Sequence, residues 1–253
     1  LENKIHLIYV NVNQDNRLVH EIEHGKFLIS RGAGEVWNWE SPAGKVRWKR
    51  RVEMLSNALR PGSQVLELGC GTGYFTAELI RMDVHITAID ISPELIEEAN
   101  LKINAKNVQF LVENAYQTSF NNEQFDAIIG SSILHHLEIR KAVSEIFRLL
   151  KPGGVIAFTE PNMLNPQIAL QKNIPWLKRK LGDSPDETAF FRWRLKKIFS
   201  KAGFSEIHII PFDFLHPAIP AKLISSFSAI GLRAEKIPLI KEIAGSLFIK
   251  AFK

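Results

Sequence analysis

Val65-Leu66-Glu67-Leu68-Gly69-Cys70-Gly71-Thr72-Gly73 is the stretch from which the rest of the chain can be read. A short apolar run carries one carboxylate and leads into three glycines at alternate positions. Such a run reads as a buried strand. The glycines allow a sharp backbone turn and remove the Cβ atoms that would hold a ligand away. Tyr74 to Met82 has helical character, so the loop opens onto a helix N-terminus. Strand, glycine loop and helix in that order make a nucleotide-type site.

The glycine spacing narrows the ligand. A dinucleotide fingerprint is G-x-G-x-x-G, whereas here the third glycine comes one residue early and position 74 is tyrosine. Glu67 stands at the turn, where it would repel a pyrophosphate. A nucleoside without phosphates therefore fits better than NAD. Asp90 supports this. It ends the next apolar run, Ala88-Ile89-Asp90-Ile91-Ser92, where a carboxylate can take both ribose hydroxyls. The bland reading of Asp90 is a helix cap, but Ser92 before Pro93 is the better cap.

Outward from the loop, candidate strands are Gln64–Leu68, His85–Asp90, Val108–Val112, Ala127–Gly130 and Val155–Glu160. Between them lie a helix from Ser92-Pro93 towards Lys102 and another over Glu138–Leu150. Lys151-Pro152-Gly153-Gly154 reads as a stop followed by a turn. This alternation argues for an α/β protein with a parallel sheet and helices on both faces. Before the core, Ile5–Val12 reads as a strand and Asn13–Asn16 as a turn, Gly25–Gly34 gives no clear pattern, and a helix spans Ala43–Leu59 behind Ser41-Pro42. After it, Thr188–Ala202 and residues 217–244 read as helical, Ile207–Phe214 and Ser246–Phe252 as strands.

Composition sets the class. The chain of 253 residues suits one α/β domain with insertions, and 45% hydrophobic with 23% charged residues is ordinary for a globular protein. A net charge of +5 does not by itself imply nucleic acid. Cys70, the single cysteine, rules out an internal disulfide and a thiolate metal cluster, and points to a reduced, cytoplasmic setting. Leu1-Glu2-Asn3-Lys4 lacks the pattern of a signal peptide, and Leu1 in place of Met suggests that the native chain starts upstream.

Glu67-x-Gly69-x-Gly71-x-Gly73, Asp90 and Lys151-Pro152-Gly153-Gly154 together resemble the class I S-adenosylmethionine-dependent methyltransferases, in particular the small-molecule branch that includes the ubiquinone and menaquinone methylases. The likeness is strong over about residues 50–161 and loose over 187–253. It implies a Rossmann-like seven-stranded, mostly parallel sheet with an antiparallel last strand. Residues 1–45 would be an N-terminal appendage or lid, and residues 46–253 the catalytic domain, with inserted lid segments at about 162–189 and 215–244. The cofactor would be S-adenosylmethionine. Gly69, Cys70 and Gly71 would line its methionine part, with Thr72 and Gly73 completing the loop, and Glu67 would accept from its amino group. Asp90 would bind the ribose and Ile91 would pack on the adenine. Ala115 and Ser131 are further cofactor candidates. Asn114 stands where the family has an aspartate that accepts from the adenine amino group; its side-chain carbonyl can still accept.

Catalytic candidates follow from position. Ser131-Ser132-Ile133-Leu134-His135-His136 follows the fourth strand, at the sheet edge where ligands of open α/β folds bind. His135 or His136 could deprotonate an acceptor hydroxyl, or merely cap and pack the turn. Glu160 ends the fifth strand on the same edge and could orient the acceptor. No third ligand is spaced to join the histidines, so no metal site is expected. Aromatic residues in the inserted segments suggest an apolar or planar acceptor (a lipid, a quinone or a secondary metabolite) methylated on O or C. Ile174–Leu181 is apolar and basic together, compatible with a peripheral membrane contact. Two other classes compete. A nucleic-acid methyltransferase would be expected to carry an Asn/Asp-Pro-Pro-Tyr-type motif after the fourth strand, which is not there, so no nucleic-acid partner is expected. A non-catalytic S-adenosylmethionine-binding protein would keep the loop but have its acceptor pocket blocked.

Overall fold

A computed structural model describes residues 16–253; the strand expected over Ile5–Val12 and residues 13–15 of the expected turn lie outside the described residues, while Asn16, expected to end that turn, begins a helix. Seven strands are present among them: β1 Ser63–Leu68, β2 Val84–Asp90, β3 Val108–Val112, β4 Phe125–Ser131, β5 Leu150–Pro161, β6 Ser205–Phe212 and β7 Ser246–Phe252. They form one sheet in the order β3-β2-β1-β4-β5-β7-β6. Strands β1 to β5 pair in parallel, and β7 runs antiparallel to both β5 and β6. This is the Rossmann-like sheet with an antiparallel last strand that the sequence led us to expect.

The helices are α1 Asn16–Arg31, α2 Ala33–Val36, α3 Pro42–Ser56, α4 Thr76–Leu79, α5 Pro93–Lys102, α6 Ile139–Leu149, α7 Pro166–Asn173, α8 Pro175–Lys180, α9 Arg192–Lys201, α10 Ile224–Ala234 and α11 Pro238–Lys241. Alternation along the strands supplies two cores. Val65, Ala88, Ala127 and Ala157 pack on one face with Leu55 of α3, Leu79 of α4 and Ala99 of α5. Leu66, Ile128, Ile156 and Ile249 pack on the other with Val143 and Ile146 of α6 and Phe199 of α9. Both serine caps form: Ser41 Oγ accepts from Gly44 N at 3.0 Å and Ser92 Oγ from Leu95 N at 3.4 Å.

Four sequence readings need correction. The unclear segment 25–34 is mostly helix, because α1 runs to Arg31 and stops at Gly32, where φ is +82°. Lys151–Gly154 does not leave the sheet. Strand β5 begins at Leu150 and carries the extra residues as a bulge between the Phe125–Leu150 and Ala127–Val155 pairs. The helix expected from Thr188 starts at Arg192, because Phe190 is drawn to β5: its N–H donates to Pro161 O and its carbonyl accepts from Met163 N. The helix expected over 74–82 shrinks to the four residues of α4, with turns on either side.

Candidate functional site

Strand order reverses between β1 and β4, so their carboxyl ends border the crevice where open α/β sheets bind ligands. The glycine loop fills that point. Gly69 and Gly71 have φ of +64° and +54°, the left-handed region that disfavours side chains. A Cβ on Gly71 would lie 2.6 Å from the Trp37 ring, and one on Gly69 2.4 Å from Ile133. The loop is laced to β2: Cys70 N donates to Ile89 O at 3.0 Å, and Gly71 N donates to Asp90 Oδ2 at 3.0 Å. The other Asp90 oxygen takes Ser92 N at 3.0 Å. Burial raises the Asp90 pKa against the pull of those two amides. Burial, then Asp90 and Glu67, push the Cys70 thiol well above its usual range, so it stays an unreactive packing group.

Across the crevice, Ser132 turns the chain with φ of +58°. Glu160 holds that turn. It is 1% exposed and accepts from Ile133 N, Leu134 N and His135 N at 3.0, 2.8 and 3.2 Å, and pairs with His135 Nδ1 at 2.8 Å. Ser131 Oγ is bonded to Thr159 Oγ1 at 2.8 Å.

Two elements outside the sheet bring charge to this turn. Helix α1 supplies Glu21, whose Oε2 lies 2.7 Å from His136 Nδ1. The 162–189 segment supplies Glu187, 3.8 Å from His136 Nδ1 and 3.7 Å from His135 Nε2. Burial alone would lower the His136 pKa, but Glu21 and Glu187 outweigh it and push it up to about 9. His136 is thus an imidazolium at neutral pH. Sequence spacing concealed Glu187 as a third group beside the histidine pair, their ligand atoms all lying within 4.8 Å of one another. A cation already answers that carboxylate: Lys172 Nζ lies 2.5 Å from Glu187 Oε2 and 2.9 Å from Asp183.

The far end is basic. Arg47 and Arg51, one turn apart on α3, share Asp213 Oδ2 at 2.9 and 2.8 Å, and Arg51 also donates to Ser246 Oγ at 2.6 Å. Arg51 is buried, and desolvation brings its pKa down to about 10.

The loop, Asp90, the histidine turn, Glu21, Glu187, Lys172 and the Arg47–Arg51–Asp213 group line one cavity of about 730 Å³. Of the residues singled out in the sequence, Gly69, Cys70, Gly71, Asp90, Ile91, Ala115, Ser131, His135 and His136 line it. Glu67, Thr72, Gly73, Asn114 and Glu160 do not. Gly73 faces Ile103, Thr72 is buried, and Asn114 Oδ1 accepts from Tyr116 N at 2.9 Å. Glu21, His24, Arg47, Arg51, Lys172 and Glu187 line the cavity but escaped the sequence reading. The only signal was helical spacing: Glu21, Gly25 and Leu28 on one face of α1, Arg47 and Arg51 on α3.

Glu67 sits beneath the loop, 3% exposed, with Thr76 Oγ1 donating to it at 2.7 Å. Burial, opposed by that bond and aided by Asp90, raises its pKa from 4.5 to about 7. Between those two values the folded protein keeps a proton that the unfolded chain has released, so stability falls as pH rises and then levels off above about 7. The full shift corresponds to about 3 kcal/mol. Glu67→Gln removes this dependence, and its unfolding free energy from urea titration should gain on the native protein between pH 5 and pH 8 by an amount on the order of 2–3 kcal/mol. Parallel curves for the two proteins would contradict the assignment.

Residues 66–158 match the family model described as a methyltransferase domain. The chain is 32% identical over 147 residues to nodulation protein S of Rhizobium tropici, covering 55% of this chain and 61% of that protein, so under two thirds of the relative's length is spanned. It is 28% identical over 220 residues to the ubiquinone/menaquinone biosynthesis C-methyltransferase of Desulfotalea psychrophila, covering 74% of this chain and 89% of that one. Among solved structures, a SAM-dependent methyltransferase of Thermotoga maritima superposes with a TM-score of 0.65 at 18% identity, over 90% of this chain and 98% of the other, which is a likeness of fold.

Proposed function

We propose, from the match of residues 66–158 to a methyltransferase domain, that the chain transfers the methyl group of S-adenosylmethionine to an O or C atom of a small-molecule acceptor. The observation that carries this reading is the convergence of the Gly69–Gly71 loop, Asp90 and the His135–His136 turn on a single cavity. The loop has the bare backbone that a nucleoside-amino acid ligand needs. Asp90, already fixed by two amides, presents its remaining lone pairs to the ribose. The sulfonium supplies an activated methyl, and the protein's task is alignment and exclusion of water.

Within this reading the two histidines divide the work. His136, charged and ion-paired to Glu21, orients and donates rather than acting as base. His135 is the better base for an acceptor hydroxyl: the Glu160 carboxylate takes up Nδ1 and leaves Nε2 to the cavity side. Glu160 acts through His135 rather than by touching the acceptor. Glu67 supports the loop from below through Thr76. Helix α1 and the 162–189 segment serve as the lid, as their share of the cavity lining supports. Trp37, Trp39 and Phe214 in the lining, with Arg47 5.9 Å from the Trp39 ring centre, suit an acceptor with an apolar body and a polar handle.

The test is transfer of isotope-labelled methyl from S-adenosylmethionine into candidate hydroxylated lipids, quinones and phenols, followed by mass spectrometry. A product heavier by one labelled methyl supports the reading. Binding of the cofactor with no transfer to any small molecule, but transfer to RNA or DNA, overturns it. His135→Gln should lower kcat by about a hundredfold while leaving cofactor affinity within about twofold. An unchanged kcat would remove His135 from the base role.

A further inference from the structure

Helices α10 and α11, after β6, turn apolar side chains outward as well as inward. On α10, Ile224, Ser228 and Gly231 form the inner face, with Gly231 closing on Phe214. Leu223, just before the helix, and Phe227 and Ile230 on it recur at helical spacing on the flank about 100° round from that inner row, and all three are exposed. Beyond them Leu239 is 86% exposed, and Ile237, Ile240 and Ile243 are each exposed by more than 40%. Scattered single apolar residues are normal on a surface; a run of this length marks an interaction site.

Charge identifies what covers it. The acids between residues 217 and 244 are Glu235 and Glu242, and both are already paired outside the segment, Glu235 with Arg50 and Glu242 with Arg192. Lys222, Arg233 and Lys236 are exposed, Lys241 is half-exposed, and none of the four has an ion pair among the described residues. The face therefore offers apolar side chains and uncompensated cations together. A second copy docked on the same face would oppose cation to cation, which is repulsive. An anionic bilayer supplies both the apolar phase and the counter-charge. The segments that flank the face, Asp213–Ala218 before it and Gly245–Ser246 after it, line the cavity. The cavity wall is thus continuous in sequence with both ends of this face.

We propose that the α10–α11 face docks this protein on an anionic lipid surface, with Leu239 and Ile230 entering the interface and Lys222, Arg233, Lys236 and Lys241 at the headgroups. The proposal stands apart from the methyl-transfer reading. The test is co-sedimentation of the full chain with vesicles of phosphatidylcholine alone and with one third phosphatidylglycerol. Binding to the anionic vesicles should be about tenfold stronger, and high salt should weaken it. Lys236→Glu/Lys241→Glu should lower it by about tenfold or more, and Ile230→Asp/Leu239→Asp by a similar factor. Circular-dichroism melting of each variant checks folding, and S-adenosylhomocysteine titration of the same samples reports on the donor site independently. Equal binding to both vesicle types, no binding to either, or variants that bind like the native chain would overturn the proposal. So would a dimer in ultracentrifugation that Leu239→Asp dissociates, which would make the face a subunit interface.

Discussion

Asp90→Ala lowers affinity for S-adenosylhomocysteine about a thousandfold. The carboxylate ends β2 with one oxygen on Gly71 N and the other on Ser92 N, so it positions the loop; under the proposed function its remaining lone pairs take two ribose hydroxyls. Hydrogen bonds to a charged group are each worth about 1.5–3 kcal/mol, so losing two costs roughly 4 kcal/mol, and every 1.4 kcal/mol is about tenfold in affinity. The stability of the unliganded protein should change much less. Burial already raises the Asp90 pKa, so its removal relieves a desolvated charge while freeing two amides. Calorimetric titration at neutral pH gives the affinity, and a melting curve without ligand gives the stability. A loss of affinity below tenfold would place the ribose elsewhere.

Glu160→Ala has the opposite signature, a large loss of stability. Its carboxylate is fully buried and satisfies three backbone N–H groups and one imidazole. Each buried donor left without a partner costs about 1–3 kcal/mol, so the four together cost on the order of 4 kcal/mol or more. That is a large share of the roughly 5–15 kcal/mol that holds a domain folded. Glu160→Gln keeps one acceptor oxygen and should lose about half as much. Where the alanine variant does not fold, the glutamine variant carries the test by its urea midpoint. A change under about 1 kcal/mol in Glu160→Gln would show that the Ser132–His136 turn is held by other contacts.

Legibility in the sequence tracked how local the cause was. The β1–loop–α4 unit, Asp90 and the caps at Ser41 and Ser92 are written in adjacent residues, so their readings needed no tertiary information. The seven-strand sheet followed from alternation and from the family likeness, and the structure has it. Elements decided by pairing were misplaced. Leu150 joins β5 because Phe125 lies beside it, and Thr188–Phe191 stays extended because Phe190 bonds to Pro161 and Met163. The acidic end of the cavity was beyond reach for the same reason. Glu21, His136 and Glu187 are far apart in the chain and meet only when α1 and the 162–189 segment fold over the sheet edge. Glu160 was legible as a strand-end carboxylate on the ligand edge, and its burial became visible only with the turn that wraps it.

Under the proposed function the Gly69–Gly71 loop and Asp90 hold a nucleoside-sulfonium methyl donor. Calorimetric titration of the native chain with S-adenosylhomocysteine tests it most directly. One equivalent should bind with micromolar affinity, competed by S-adenosylmethionine and not by NAD. No heat of binding up to about millimolar ligand, or displacement by NAD, would contradict it.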